Sequence, residues 1–426
     1  MAEGDNGNSL PATAPNSARA GGGPGPGGPR PELRRNVVVL GLSALFNDIA
    51  SEMAYWVLPY FLTVLGAGPG WLGLIEGVAE SAASWVKVWS GRWADRTQRR
   101  KPMVVAGYLL ANVMKPLLGF THGAGQVLGV RAVERGSKGL RSAPRDVMIT
   151  ESAAPGRVGA AFGLRQALDS AGAVIGPALA FWLMLAGRQN ARLVFWAAAI
   201  PGAIAVALVW GLARETAGGR GARAGAGSKQ RAQPATPAPA HAPFSPALRR
   251  VLVAAGLFGL ANFSDMFLIL RAQHLGLAPA LAPLLGLVFN VVFAALSYPF
   301  GRLSDRWPRK WLVGAGYIIF AAVYWGFARP ESAGAVWGLF AVYGLYQALT
   351  AGVLSALIAD CATPANRGRA FGWIAGVTGV TGFAASALAG ALWHWHGAGL
   401  AFEVAAALAL AAAALIFTLP ARPRPA

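Results

Sequence analysis

Asp48 and Glu52 lie four residues apart inside a stretch that is otherwise mostly apolar. Carboxylates at that spacing share one face of a helix. Further along, Arg131, Glu134, Arg135, Lys138 and Arg145 fall at i, i+3, i+4, i+7 and i+14, a single stripe down one helical face. Arg165 and Asp169 are again four apart, Glu76, Glu80 and Lys87 share one run, and Asp265 stands in another. Groups of this kind bind a charged solute, carry protons, or lock helices together as ion pairs. A charge at the centre of a bilayer costs ~2.5–3.5 kcal/mol even on the lenient insertion scale. Apolar packing would hold helices together without that cost, so the stripe as a whole reads as functional. For single members, such as Arg131 with Asp48 or Arg165 with Asp169, a purely structural ion pair is an equal reading.

The elements that must position these groups are long apolar runs. Apolar residues are 55% of 426, charged residues only 13%, and mean hydropathy is +0.46. Soluble globules carry roughly a quarter charged residues, and runs of ~20 apolar residues match a ~30 Å hydrocarbon slab. Helices are expected near 36–65, 71–90, 102–121, 124–151, 158–186 and 191–213, then near 247–272, 281–300, 311–328, 333–359, 371–392 and 398–420. In lipid each segment must pair its own backbone groups, which excludes open strands. The organisation is a disordered tail (1–35), a six-helix bundle (36–213), a polar Gly/Ala/Pro/Arg linker (214–246), a second bundle (247–420) and a short tail (421–426). The single cysteine, Cys361, excludes an internal disulfide framework. No apolar core suited to a secretory signal occurs in residues 1–30.

A net charge of +19 invites a nucleic-acid reading, but its distribution argues against one. One set of loops and tails holds Arg34, Arg35, Arg92, Arg96, Arg99, Arg100, Lys101, Arg157, the basic linker, Arg302, Arg306, Arg309, Lys310, Arg367 and Arg369. The opposite loops hold Arg188, Arg192 and Arg329, with Arg271 near a helix end. Such asymmetry orients membrane proteins with the basic side inward, so both termini and the linker are expected in the cytoplasm and the chain in the inner membrane. The halves also repeat. GRWADRTQRRK begins at Gly91 and GRLSDRWPRKW at Gly301, an offset of 210. Pro155 with Phe162-Gly163 matches Pro364 with Phe371-Gly372, an offset of 209. Duplicated six-helix units are the building blocks of many secondary transporters.

The Gly-x-x-x-Asp-Arg-x-x-Arg-Arg/Lys loops resemble the signature of the major facilitator superfamily. Gly91, Asp95, Arg96, Arg99 and Arg100 fill it in the first half; Gly301, Asp305, Arg306, Arg309 and Lys310 fill it in the second. Helix 4 departs from the family pattern, with Glu134 where Gln is usual. Helix 5 carries Gly172-x-x-x-Gly176-Pro177, similar to an antiporter signature but without its closing glycines. The stretch from Glu134 to Ser152, with Asn47–Met53, is similar to a prokaryotic branch without a settled substrate. The resemblance implies an all-α polytopic membrane protein of twelve helices in two pseudo-symmetric bundles. It places helices 1, 4, 7 and 10 around a central cavity, which adds Tyr343 and Gln347 of helix 10 to the candidate substrate and proton-coupling set. It also implies a latch: Asp95 would meet helix 11 near Phe371, and Asp305 would meet helix 5 near Phe162. Arg96, Arg100, Arg306 and Lys310 would pair with Glu151 and Asp360. The competing reading of these loops is topogenic charge alone, which needs no Asp.

The expected function is secondary active transport of a small solute by alternating access, proton-coupled and exporting by antiport. The alternatives are a uniporter, a symporting importer of an organic anion, and a transporter-like sensor. No Gly-rich loop closes on Lys-Ser/Thr, so ATP is not the expected fuel. The five His (122, 241, 274, 394 and 396) are scattered, and an enzyme, a metal or a cofactor is not expected. The expected unit is a monomer whose partners are the solute, protons and the lipid bilayer, without nucleic acid.

Overall fold

The computed structural model describes residues 31–97, 99–154, 157–216, 244–329, 332–362 and 367–420; side chains of 31–34, 92, 94–97, 367 and 368 are also left undescribed. Residues 1–30 of the expected disordered N-tail, most of the central linker and the C-tail lie outside these residues, whereas residues 31–35, also expected in that tail, are helical and open the first span.

Among the described residues twelve helical spans run in order: α1 (Pro31–Val64), α2 (Pro69–Thr97), α3 (Lys101–Leu118), α4 (Ala124–Ser152), α5 (Val158–Ala186), α6 (Ala191–Leu212), α7 (Pro246–His274), α8 (Ala282–Arg306), α9 (Arg309–Ala328), α10 (Ala335–Cys361), α11 (Arg367–His396) and α12 (Ala398–Phe417). Nine are long and apolar enough to cross a membrane by composition alone. The other three are α2, α3 and α4, which carry Glu76 and Glu80, Asn112 and Lys115, and the charged stripe. Of these groups Glu76, Asn112, Lys115, Arg131 and Glu134 are buried within the protein.

Three spans are broken, and each break has a local cause. In α6 the break is at Ala198, where Pro201 offers no N–H to the carbonyl of Ala197. In α10 it falls at Ala351–Gly352. In α7 the helix stops at Ala261 and restarts at Met266, leaving Asn262, Phe263, Ser264 and Asp265 irregular. Non-helical backbone at membrane depth is tolerated where it is buried or lines a cavity. Here the N–H of Ser264 donates to Ser386 Oγ at 3.3 Å.

The two halves pack alike. The contacts α1–α5, α1–α6, α2–α4, α3–α4 and α3–α6 recur as α7–α11, α7–α12, α8–α10, α9–α10 and α9–α12. Across the midline α2 lies on α11 and α5 on α8. Glycines set these approaches. A Cβ on Gly73 would stand 2.3 Å from the carbonyl of Ser386, and one on Gly390 would stand 2.9 Å from that of Pro69. Cβ atoms on Gly172 and Gly176 would lie 2.8 Å from the carbonyls of Leu45 and Ile49, so the antiporter-like glycines seat α5 on α1. On α11 a Cβ on Gly379 would lie 3.3 Å from the Ser84 side chain, whereas one on Gly376 or Gly382 would have no atom within 4 Å. Tight packing on α11 is displaced toward Gly390, at the end remote from the basic loops. At the basic end Trp85, Trp89, Phe371 and Trp373 are exposed, and no hydrogen bond or ion pair among the described residues joins the halves. The close glycine contacts between α2 and α11 lie at the end remote from the basic loops.

Candidate solute and coupling site

The stripe on α4 reaches the middle of the molecule because Gly139 lets α2 come close: its Cβ would be 2.3 Å from the carbonyl of Ala83. The two helices run parallel, so Glu76 and Glu80 of α2 match Arg131 and Arg135 of α4 in the same four-residue register. Arg131 donates to Glu76 at 2.7 Å and to Glu134 at 2.5 Å. Arg135 donates to Glu80 at 2.6 Å. Arg131 and Glu76 are buried, whereas Glu80 is half-exposed. Buried charges persist only when paired and hydrogen-bonded, and this set meets that condition. Its other end crosses the midline: Ser264, in the break of α7, donates its hydroxyl to the second Glu76 oxygen at 3.1 Å.

Two adjoining cavities occupy the space between the halves. The smaller, about 250 Å³, is lined by Asp48, Glu52, Arg131, Glu134, Arg135, Lys138, Arg141 and Asp265, with Asn290 from α8. The larger, about 530 Å³, shares Tyr55, Arg135 and Asp265 with it. It adds Glu76, Glu80, Ser264, Gln347 and an aromatic wall of Phe258, Tyr317 and Tyr346.

Most of the candidate set thus converges. Asp48 and Glu52 share one face of α1, as their spacing predicts, but neither meets a base. Asp48 accepts from the Asn47 amide at 3.2 Å and Glu52 from the Trp56 indole at 2.8 Å. Asp265 accepts from the Tyr343 hydroxyl at 2.6 Å. Arg131 pairs with the two glutamates and not with Asp48. Arg165 and Asp169 pair along α5 at 3.3 Å and are not among the residues lining either cavity.

Some cavity residues escaped the sequence reading. Glu76 and Glu80 stood out as intramembrane charges without a partner; the shared spacing with Arg131 and Arg135 was the available signal. Arg141 continues the stripe three residues beyond Lys138 and went unremarked. Away from both cavities, Lys115 of α3 is 1% exposed and donates to Asn112 at 2.9 Å, which in turn donates to Asn47 at 3.3 Å. No local pattern marks Tyr317, Ser264 or Asn290. Asn290 donates to the carbonyl of Ala173 at 2.9 Å, a second bond across the midline.

At the basic end the duplicated loops form matching clamps. Arg100 bonds Glu151, and Arg309 bonds Asp360 at 2.5 Å, both pairs 51 residues apart in sequence. The second clamp uses Arg309 where Arg306 or Lys310 was expected. Arg306 is exposed, and Lys310 donates to the carbonyl of Leu419 at 2.6 Å. Asp305 meets Arg309 of its own half at 3.5 Å. Gly301 is exposed and Gly91 half-buried; the side chains of Asp95 and Arg96 lie outside the described residues.

The Major Facilitator Superfamily family model matches residues 40–271 and 251–426. An uncharacterized MFS-type transporter of Methanocaldococcus jannaschii is 33% identical over 369 residues, covering 85% of this chain and 89% of its own. An uncharacterized Mycobacterium tuberculosis protein is 28% identical over 375 residues, covering 86% and 89%. Among solved structures, a bacterial homologue of the human lysosomal transporter Spinster, inward-facing and occupied, superposes with a TM-score of 0.70 at 14% identity. That match covers 89% of this chain and 95% of the other. The nucleoside transporter NupG does so with a TM-score of 0.72 at 12% identity, covering 90% and 99%. At such identity the likeness is one of fold.

Proposed function

Since this chain belongs to the major facilitator superfamily and is a multi-pass membrane transporter, we propose that it moves a small solute by proton-coupled alternating access through the cavities between its halves. The observation that carries this reading is the placement of Asp48, Glu52 and Asp265. All three face the cavity, and each is held by a neutral donor instead of a base. A carboxyl in that setting can take up or release a proton as solute arrives, without first breaking an ion pair. The paired glutamates serve a different end. The Arg131–Glu76–Ser264 connection ties the charge network of the first half to the break in α7, so a change of charge in the cavity bears on the interface that must open.

The duplicated loops act as the latch of the opposite state. Their Arg–acid clamps hold each half rigid, and Asp95 and Asp305 reach α11 and α5 of the other half when the basic end closes. A carboxylate near a helix N-terminus is favoured there by the helix dipole. The basic end is assigned to the cytoplasm by its charge, with both termini on that side. A single chain lines both cavities, which suits a monomeric unit.

Purified protein in liposomes loaded with a pH indicator tests the proposal. Solute addition under an imposed pH gradient is expected to move protons. Asp48→Asn with Glu52→Gln is expected to uncouple that movement. Movement of solute with an unchanged pH dependence in this double variant would refute proton coupling through these groups.

A further inference from the structure

We infer that Lys115 is a positioning residue for the cavity carboxyl Asp48, acting on it from outside both cavities through a hydrogen-bonded relay of two buried amides, Asn112 and Asn47. This rests on the reading above, in which Asp48 takes up and releases a proton, and adds what governs that exchange.

The relay is continuous. Lys115 of α3 is 1% exposed and has no ion pair among the described residues. Its ammonium donates to Asn112 Oδ1 at 2.9 Å and, more weakly, to the carbonyl of Ala111 at 3.4 Å. Asn112 donates to the carbonyl of Tyr108 at 2.9 Å and to Asn47 Oδ1 at 3.3 Å. Asn47 of α1 then donates to Asp48 Oδ1 at 3.2 Å, and Asp48 lines the smaller cavity. Lys115 and the two amides are buried, and none of the three lines either cavity.

Every bond in this chain points the same way. An ammonium can only donate, so the oxygen of Asn112 must face it; an ionised carboxylate can only accept, so the N–H edge of Asn47 must face Asp48. Turning either amide over would set N–H against N–H on one side and oxygen against oxygen on the other. The chain is thus keyed to a cation at one end and an anion at the other. Bonds to charged groups are the strong ones, and bonds in a buried chain polarise one another. A buried ammonium is costly without compensation. This one obtains it without a carboxylate in contact.

Other charges surround both ends. Lys115 is faced by Asp48 of α1 and by Arg131, Glu134 and Arg141 of α4, and Glu134 is itself engaged by Arg131 at 2.5 Å. From α6 it is a glycine that closes on the relay: a Cβ on Gly202 would stand 2.7 Å from Asn112 Oδ1. Asp48 is faced by Glu52 of its own helix, Lys138 and Arg141 of α4, Lys115 of α3 and Asp169 of α5. Asp265 of α7 lines the same cavity, and Asp169 is paired with Arg165. Lys138 and Arg141 reach Asp48 from the cavity side, where an arriving solute alters the field. Lys115 reaches it through protein, so its hold is the same with the cavity filled or empty. Among the three cavity carboxyls Asp48 is distinguished by this tie. The donors to Glu52 and Asp265 are the Trp56 indole and the Tyr343 hydroxyl, and neither continues to a base by such a chain among the described residues.

Infrared pH titration of the purified full-length protein in detergent tests the link without any solute. The carboxyl band that disappears in Asp48→Asn reports Asp48. Lys115→Met is expected to raise the midpoint of that band by about one unit, because losing a cation favours the protonated carboxyl. Asn112→Leu keeps the ammonium but cuts the relay, and is expected to raise the midpoint too. The two changes together are expected to do no more than Lys115→Met alone, as groups acting in one network are non-additive. Gly202→Ala displaces Asn112 from outside the chain and is expected to move the midpoint the same way. An unchanged midpoint in Lys115→Met overturns the assignment. So does a shift that Asn112→Leu fails to reproduce, which would place the action of Lys115 across space or on Glu134. Failure of Lys115→Met, Asn112→Leu and Gly202→Ala all to fold would mark the chain as structural and overturn it equally. In liposomes, shifted midpoints with a solute flux that carries no protons defeat proton coupling and leave this link standing. Flux that carries protons, with an unshifted midpoint in Lys115→Met, does the reverse.

Discussion

At the residue scale, the glutamates of α2 divide by their surroundings. Glu76 is buried and satisfies both Arg131 and Ser264, whereas Glu80 is half-exposed in the larger cavity. Removing one partner of a buried pair costs about 3–5 kcal/mol because the other charge is left stranded. Exposed pairs are worth about 0–1 kcal/mol. Glu76→Gln is therefore expected to lower the melting temperature in detergent clearly, and Glu80→Gln only slightly. Equal melting temperatures for the two variants would contradict the burial difference. Replacing Glu76, Arg131 and Glu134 together by Leu, Met and Leu is expected to recover much of the stability but not transport, which separates the network's structural role from its function.

At the element scale, small residues decide which helices touch. Gly139 brings α4 within reach of α2, and any side chain there meets the carbonyl of Ala83 and the backbone N of Lys87. Gly139→Val is expected to push the two helices apart and to abolish the Glu76–Arg131 and Glu80–Arg135 pairs together, with loss of folded yield measured by gel filtration. Gly376→Ala on α11 is the contrast: it meets open space. Within a helix an alanine is favoured over glycine by roughly 0.5–1 kcal/mol, so this variant is expected to fold at least as well as the wild type. A drop in its folded yield would mean that α11 packs differently from the arrangement described. The break in α7 follows the same logic, because its irregular residues face Ser386 and Glu76 and not lipid.

At the scale of the whole molecule, the halves are alike in architecture and unlike in chemistry. The first half holds the ionised network; the second contributes Asp265, an aromatic wall and hydroxyls. They meet at the end remote from the basic loops, where a Cβ on Gly77 would lie 3.0 Å from the Phe383 ring and 3.3 Å from the Phe383 carbonyl. Cysteines at Gly77 and Phe383, in a background with Cys361→Ala, are expected to form a disulfide on oxidation and to stop transport reversibly. Unimpeded solute flux through the cross-linked protein would mean that this end need not open.

The sequence by itself determined the number and class of the helices, their duplication, and the concentration of charge on α4. Each is a one-dimensional pattern: apolar run length, motif offset and residue spacing. It also contained the matched spacing of Glu76, Glu80, Arg131 and Arg135, although only the packing of α2 on α4 shows that these are partners. Tertiary structure alone decided that Arg131 pairs with Glu76 and not Asp48, that Arg309 and not Lys310 clamps Asp360, and that Gly390 and not Gly376 carries the tight contact. It alone left Arg141, among the described residues, lining a cavity without a carboxylate partner. The reason is common to all four. Which of several chemically equivalent partners a side chain meets depends on the relative rotation and closeness of helices distant in sequence, and those are fixed by glycine contacts and backbone breaks that leave no periodic trace.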